Sequence, residues 1–200
     1  DQSEKFIDCN GNGNVELYYN NSKKLETTDA GGTLYGTWTG AGKVLQVVHT
    51  AKTDTFSESL GQGNLSGDTG LNVSITPSSS SNKILIIASV NMGCSNDNRN
   101  AVTLVRGGSA IDSARGDSSN SNQRVSSMSF NSSTSYTSHH SINFQDSANT
   151  TSAITYGIRL SHGRYGNAGA TVYLNRASSE ASGSDRMRSA SFITAMEIAA

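Results

Sequence analysis

Few stretches of this sequence bring together residue types that do chemistry, and each is interrupted. "GAGK" at Gly40 to Lys43 has the ending of a phosphate-binding loop, but Thr37 stands where the first glycine of G-x-x-x-x-G-K-[ST] belongs and Val44 follows the lysine. A linker turn is the reading that remains. His139 and His140 fall at the start of a predicted strand, where successive side chains point to opposite faces, so the pair cannot share one metal ion without a bulge. His49 and His162 are isolated, and Asp97, Asp112 and Asp117 lack the spacing of a calcium loop. No G-x-S-x-G nucleophile elbow occurs, and acidic residues are sparse and confined to turns, so no enzymatic activity, cofactor or metal site is expected.

What remains are polar loops suited to contact rather than catalysis. "SHGRYGNAG" (161–169) reads as a glycine-rich hairpin carrying His162, Arg164 and Tyr165, a set fitted to stacking and charged hydrogen bonding with sugars. A solvated connection with Tyr165 packed on a neighbour accounts for it equally well. "CSNDNRN" (94–100) offers Asp97 and Arg99, and "DSARGDSSNSNQR" (112–124) offers Arg115 and Asp117. The Arg115-Gly116-Asp117 triplet is better explained by turn chemistry than by integrin adhesion. "RASSEASGSDRMR" (176–188) is a further long polar loop. Exposed loops on a rigid framework are where binding usually resides.

The framework itself is β. No window shows the i, i+3, i+4, i+7 pattern of a helix, whereas period-two alternation recurs along the chain. Leu71, Val73 and Ile75 alternate with polar residues, as do Ile142 and Phe144, then Ile154, Tyr156, Ile158 and Leu160, then Val172 and Leu174. "NKILIIASVNMG" predicts a strand covered on both faces at its start and on one at its end. "AVTLVRGGSAI" predicts a strand and an Arg106-Gly-Gly-Ser turn, and the last strand offers Ala190, Phe192, Thr194, Met196 and Ile198 on one side. About ten short strands between Gly42 and Ala200 predict an all-β fold, a two-sheet antiparallel sandwich of the jelly-roll type, for residues 42–200.

Composition narrows the class further. Of 200 residues, 34% are hydrophobic and 16% charged, with a formal net charge of −1. Disorder usually couples low hydrophobicity with high net charge, and that coupling is missing. Neutrality and scattered arginines argue against a nucleic-acid binder, which needs a basic stripe, and no apolar run reaches the ~20 residues of a membrane span. Cys9 and Cys94, the two cysteines, are too few for a disulfide framework or zinc site, and folding in a reducing cytoplasm is expected. The chain lacks an initiating methionine and reads as the end of a longer polypeptide.

"NGNVELYYNNSKKLETT" (12–28) predicts two short strands about an Asn-Asn-Ser turn, too poor in apolar residues to bury a core alone. Residues 1–41 are therefore expected to form a trimerisation segment, with Val15, Leu17, Tyr19, Leu25 and Trp38 at the contact between copies. The same shortage in residues 42–200 predicts that neighbouring subunits cover one sheet face.

"GNVELYYNNSKKLETT" resembles a module that recurs in tail-fibre and other virion proteins of marine bacteriophages. "GKVLQVVHTAKTDTF", "GLNVSITPSSSSNKILIIASV", "TLVRGGSAI", "DSANTTSAITYGIRL", "TVYLNR" and "SFITAMEIA" resemble, in that order, a globular head found beyond it. Such heads are similar to trimeric jelly rolls of the tumour-necrosis-factor type. The resemblance implies a virion localisation, a homotrimer, contacts with other virion proteins, and a distal end that meets a host-surface glycan or protein. It transfers no catalytic residue. A head fibre or capsid decoration, and a bacterial surface-filament adhesin, are the alternative readings.

Overall fold

The computed structural model describes residues 4–11, 13–36, 42–95, 98–163, 169–180 and 187–200. The chain divides into two compact units, Asp1–Ala41 and Gly42–Ala200.

The first unit is an antiparallel sheet of four strands in sequence order: β1 (Ile7–Cys9), β2 (Val15–Tyr19), β3 (Ser22–Thr28) and β4 (Gly31–Leu34). Asn20 and Asn21 join β2 to β3 with φ of 53° and 57°. Two consecutive left-handed residues make the tight turn whose twist suits a hairpin, and asparagine tolerates them better than most side chains. Pairing aligns Ile7 with Leu17, Leu17 with Leu25 and Leu25 with Leu34, so one face carries an aliphatic row across all four strands. The opposite face aligns Asp8, Glu16 and Glu26. Lys23 pairs with both glutamates, and the Tyr18 and Tyr35 hydroxyls donate to Glu16 and Glu26 respectively. Those bonds, Lys23's first, hold the Glu16 carboxyl down at about 2. The charged face is thus satisfied within the sheet, while the aliphatic face is bare: Ile7 is 63% and Leu34 52% exposed.

The second unit is built from β5 (Val44–Lys52), β6 (Phe56–Leu60), β7 (Asn72–Ile75), β8 (Lys83–Cys94), β9 (Asn98–Arg106), β10 (Ser109–Ala110), β11 (Ser127–Asn131), β12 (Ser138–Asp146), β13 (Ile154–Gly163), β14 (Ala170–Leu174) and β15 (Ser191–Ile198). A 3-10 turn, Asp112–Ala114, interrupts them. One sheet runs β10-β9-β13-β7 with β11 also on β9; the other runs β5-β15-β8-β14-β6 with β12 also on β8. All pairings are antiparallel, and both sheets contribute to one core that includes Leu71, Ile84, Ile86, Met92, Leu104, Ile158, Leu160 and Ile193. The Arg106-Gly-Gly-Ser turn forms as expected, with Gly107 and Gly108 at φ of 57° and 82°. No helix among the described residues is long and apolar enough to cross a membrane.

Buried polar residues knit the core to its loops. Glu197, 1% exposed, accepts from Asn82 Nδ2, Gln46 Nε2, and the backbone N and Oγ of Ser78, which pins the 78–82 segment to the last strand. Burial alone would raise its carboxyl, but these donors outweigh it and hold the group at about 2. Asp146 accepts from Tyr156 Oη at 2.7 Å and Arg106 Nη1 at 2.8 Å. His140 sits between Ser127 Oγ and Ser129 Oγ, each at 3.2 Å, and burial, aided by the nearby His139, pushes it down to about 4.

Two expectations are corrected here, for β8 and for the strands flanking residues 164–168, and the shared side expected for the last strand proves to be its outer one. β8 is covered along Ile84, Ile86, Ala88 and Val90 but not on its other face, where Leu85 is only half-buried and Ile87 is 41% exposed; both faces are covered only at Gly93 and Cys94. In β15 the large side chains Phe192, Met196 and Ile198 point outward, because Ser191, Ile193, Ala195 and Glu197 take the inner positions. β13 and β14 belong to different sheets and do not pair, so they are not the two arms of the hairpin expected at 161–169, of which residues 164–168 lie outside the described residues.

Candidate functional site

The second unit presents two outer faces of different character. On the β5-β15-β8-β12 side, cross-strand pairing lines up three rows: Val47, Met196, Leu85 and Gln145; His49, Thr194, Ile87 and Asn143; Ala51, Phe192, Ser89 and Ser141. None of these is Asp, Glu, Lys or Arg. His49 stacks on Phe192 with centroids 5.9 Å apart and bonds Thr194 Oγ1 through Nδ1 at 2.9 Å. Six of these twelve residues are apolar and six polar, with Val47 55% exposed.

The other sheet carries a groove of about 610 Å³ on its outer face, lined by Gln62, Arg99, Asn122, Gln123, Met128 and Gly163 among others. Its position follows from strand register. Arg99 near the start of β9 lies opposite Phe130 of β11 on one side and opposite Gly163 of β13 on the other. Gly163 offers no side chain there, and a Cβ at that position would stand in ordinary contact with the arginine stem, 3.6 Å from Arg99 Cβ and 3.7 Å from Cδ. Met128 pairs with Ala101. Ser127 and Ser129 turn inward to His140, which sends Met128 and Phe130 outward, 60% and 68% exposed.

The far wall is stitched in place. Gly63 N donates to the His162 carbonyl at 3.1 Å, and Gln123 Nε2 donates to the Gly63 carbonyl at 2.8 Å. The side chains of Gln62 and Asn122 are exposed. Arg99 forms no ion pair among the described residues, and none of the lining residues is acidic. The groove therefore combines one planar cation, carboxamide groups, and two exposed apolar side chains at its edge.

Another cleft, of about 690 Å³, lies where Ser109–Ser113 approach Phe144–Ser147. Although larger, it holds no uncommitted charge, because Asp146 already neutralises Arg106 and Asp112 is engaged by Arg115 and Arg124. Among the described residues no group of three or more His, Cys, Asp or Glu is placed to hold a metal ion.

The residues singled out from sequence fall in several places. Arg99 lines the groove. His162 does not reach the surface: it is fully buried with Nε2 at 3.1 Å from the Leu60 carbonyl, because even positions of β13 face the core, so it is not a receptor contact in this fold. Arg115 is drawn back onto Asp112, leaving Asp117 exposed without its arginine, so the triplet is not displayed as a unit. Asp97, Arg164, Tyr165 and Trp38 lie outside the described residues. Val15, Leu17 and Tyr19 are exposed and Leu25 half-buried in the first unit's sheet, where Ile7 and Leu34 complete the aliphatic row. Gln62, Gln123, Met128 and Phe130 were not singled out; the alternation of Met and Phe with serine in "SSMSFNSS" was the available signal, since serine taking core positions leaves large residues outside.

A comparison with protein-family models and with curated proteins found no match.

Proposed function

We propose that this chain is a structural and adhesive virion protein, part of a homotrimeric bacteriophage tail fibre, with residues 1–41 as shaft and residues 42–200 as a head that attaches to a host-surface glycan or protein. The observation that carries this reading is β15. Its three largest apolar residues face outward while a serine, an alanine and a glutamate share the inner side with Ile193. A strand arranged in this way loses free energy in a solitary subunit, where roughly 25 cal/mol is forgone for each Å² of apolar surface left in water. Covering by copies of the same chain removes the cost.

Symmetry favours a neutral face for that purpose. An axis brings identical patches together, so a charge near it meets its own duplicate. The three neutral rows on β5, β15, β8 and β12 meet that condition, and the aliphatic row of the first unit is the corresponding surface in the shaft. Strand order supports reading the head as a jelly roll, with β7-β13-β9-β11 opposite β5-β15-β8-β12.

Native mass measurement across a range of protein concentrations tests the reading. The expected mass is that of three chains, and purified trimer is expected to adsorb to host cells. A folded single chain at micromolar concentration would refute it.

A further inference from the structure

We infer that the groove at Arg99 binds a carboxylate-bearing sugar unit of a surface polysaccharide or glycoconjugate. This rests on the adhesive reading above and assigns it a site and a ligand class. Arg99 is the central element. A guanidinium presents paired N–H donors in the plane that matches a carboxylate, and such bonds are about twice as strong as neutral ones. Among the described residues no acidic side chain lines the groove, so none of them competes with an incoming carboxylate for the arginine or opposes it with a like charge.

The remaining chemistry points to a sugar rather than an acidic peptide. Carboxamides of Gln62 and Asn122 offer both donors and acceptors, the pattern that ring hydroxyls require. Met128 and Phe130 supply an apolar edge for the C–H face of a pyranose ring, and the volume suits a few sugar units. A peptide partner would call for a deep apolar pocket to anchor a side chain, and the lining is instead polar and shallow.

The site is also fixed in place. Gly63 is tied to β13 on one side and to Gln123 on the other, and the Arg99 backbone is held in β9 between Phe130 and Gly163. The backbone of that wall is therefore held before binding, and the ordering cost is confined to the exposed side chains of Arg99, Gln62 and Asn122.

The test titrates the intact chain with trigalacturonate, with sialyllactose, with carboxyl-reduced trigalacturonate and with hexaglutamate, following binding by NMR. One or both anionic sugars are expected to bind, with the carboxyl-reduced sugar weaker by roughly tenfold or more. Arg99→Gln is expected to lose a similar factor with an unchanged melting temperature. Arg99→Lys, which keeps the charge but not the fork, is expected to fall between. Binding of neither anionic sugar at millimolar concentration, equal binding of the reduced sugar, or equal binding by Arg99→Gln would overturn the assignment. Hexaglutamate binding as tightly through Arg99 would overturn it in favour of an acidic peptide.

Adsorption to host cells, run in parallel, separates the two levels. Wild type and Arg99→Gln adsorbing alike removes the groove and leaves the adhesive reading intact. Sugar binding through Arg99 without any adsorption removes the adhesive reading and leaves the groove.

Discussion

The two outer faces of the second unit are made by the same means and end with opposite properties. Both are strands whose inner positions serve a shared core, and both place large apolar residues outside. On the β5-β15-β8-β12 side Val47, Met196 and Leu85 lie in register across three strands, among side chains that include no Asp, Glu, Lys or Arg in the three central rows. On the β9-β11 side the large apolar residues stand at the edge of a groove with a lone arginine and carboxamides. The difference teaches that outward apolar residues have two uses. Spread flat and free of charge they suit a copy of the same surface; gathered beside an uncommitted cation they suit a small polar ligand that leaves most of the face wet.

The largest test of that contrast compares neighbours in β8. Ile86 is fully buried, and Ile86→Ala is expected to cost about 2–5 kcal/mol by leaving a cavity. Ile87, 41% exposed on the flat face, would cost within about 0.5 kcal/mol if it met only water. The expected result is a clearly larger loss, together with a wild-type melting temperature that rises with protein concentration and an Ile87→Glu variant in which that dependence disappears. Calorimetry at two concentrations checks this. A concentration-independent melt in the wild type would mean that the flat face is ordinary surface.

Acid should affect the two sides over different ranges. His140 lies inside, clasped by Ser127 and Ser129 of the strand that carries Met128 and Phe130. Its pKa falls from 6.5 to about 4 in the fold, so the unfolded chain binds the extra proton between those values. The stabilisation is complete above pH 6.5 and lost as pH falls towards 4, an effect of roughly 3 kcal/mol. Glu197 anchors the flat face's own strand, and its carboxyl is held at about 2 against an ordinary 4.5. Its contribution is complete above pH 4.5 and lost as pH falls towards 2. His140→Gln should flatten the melting curve against pH in the upper range only, and Glu197→Gln in the lower range only. Coincident loss in both variants would show that the two sides are not separable.

Much of the architecture was legible because alternation is a local signal. The strands at 83–94, 98–106, 138–146, 154–163 and 170–174 contain the alternating residues that pointed to them. Which face turned inward was less legible, because that choice depends on partners far away in sequence. Glu197 takes an inner position only because Asn82, Gln46 and Ser78 supply four donors there, and that decision drives Phe192 and Met196 out. Likewise β8 carries apolar residues on both faces, yet one subunit contains enough material to cover only one. The pairing of β13 with β14 was misjudged for a related reason: a glycine-rich link in the sequence looks the same whether the strands it joins share one sheet or belong to two. In the site, Arg99 was legible as a charge in a polar loop. Its setting was not, since Phe130, Gly163 and Gln62 reach it through pairing and loop contacts.

The smallest effect sharpens the comparison most, because it asks whether an exposed apolar residue can matter without affecting stability. Phe130 is 68% exposed and lies directly across from Arg99. Removing it forgoes little burial within the chain, so Phe130→Ser should shift stability by no more than about 0.5 kcal/mol, in either direction. It should leave the oligomeric state unchanged, in contrast to Ile87→Glu on the flat face. Affinity for an anionic trisaccharide should nevertheless fall by a few-fold, since an aromatic edge against a sugar ring contributes on the order of 0.5–1.5 kcal/mol. Measuring stability, mass and trisaccharide affinity on this variant separates the roles. If mass changes and affinity does not, the β9-β11 side is a second assembly surface and the two faces differ less than their charges imply.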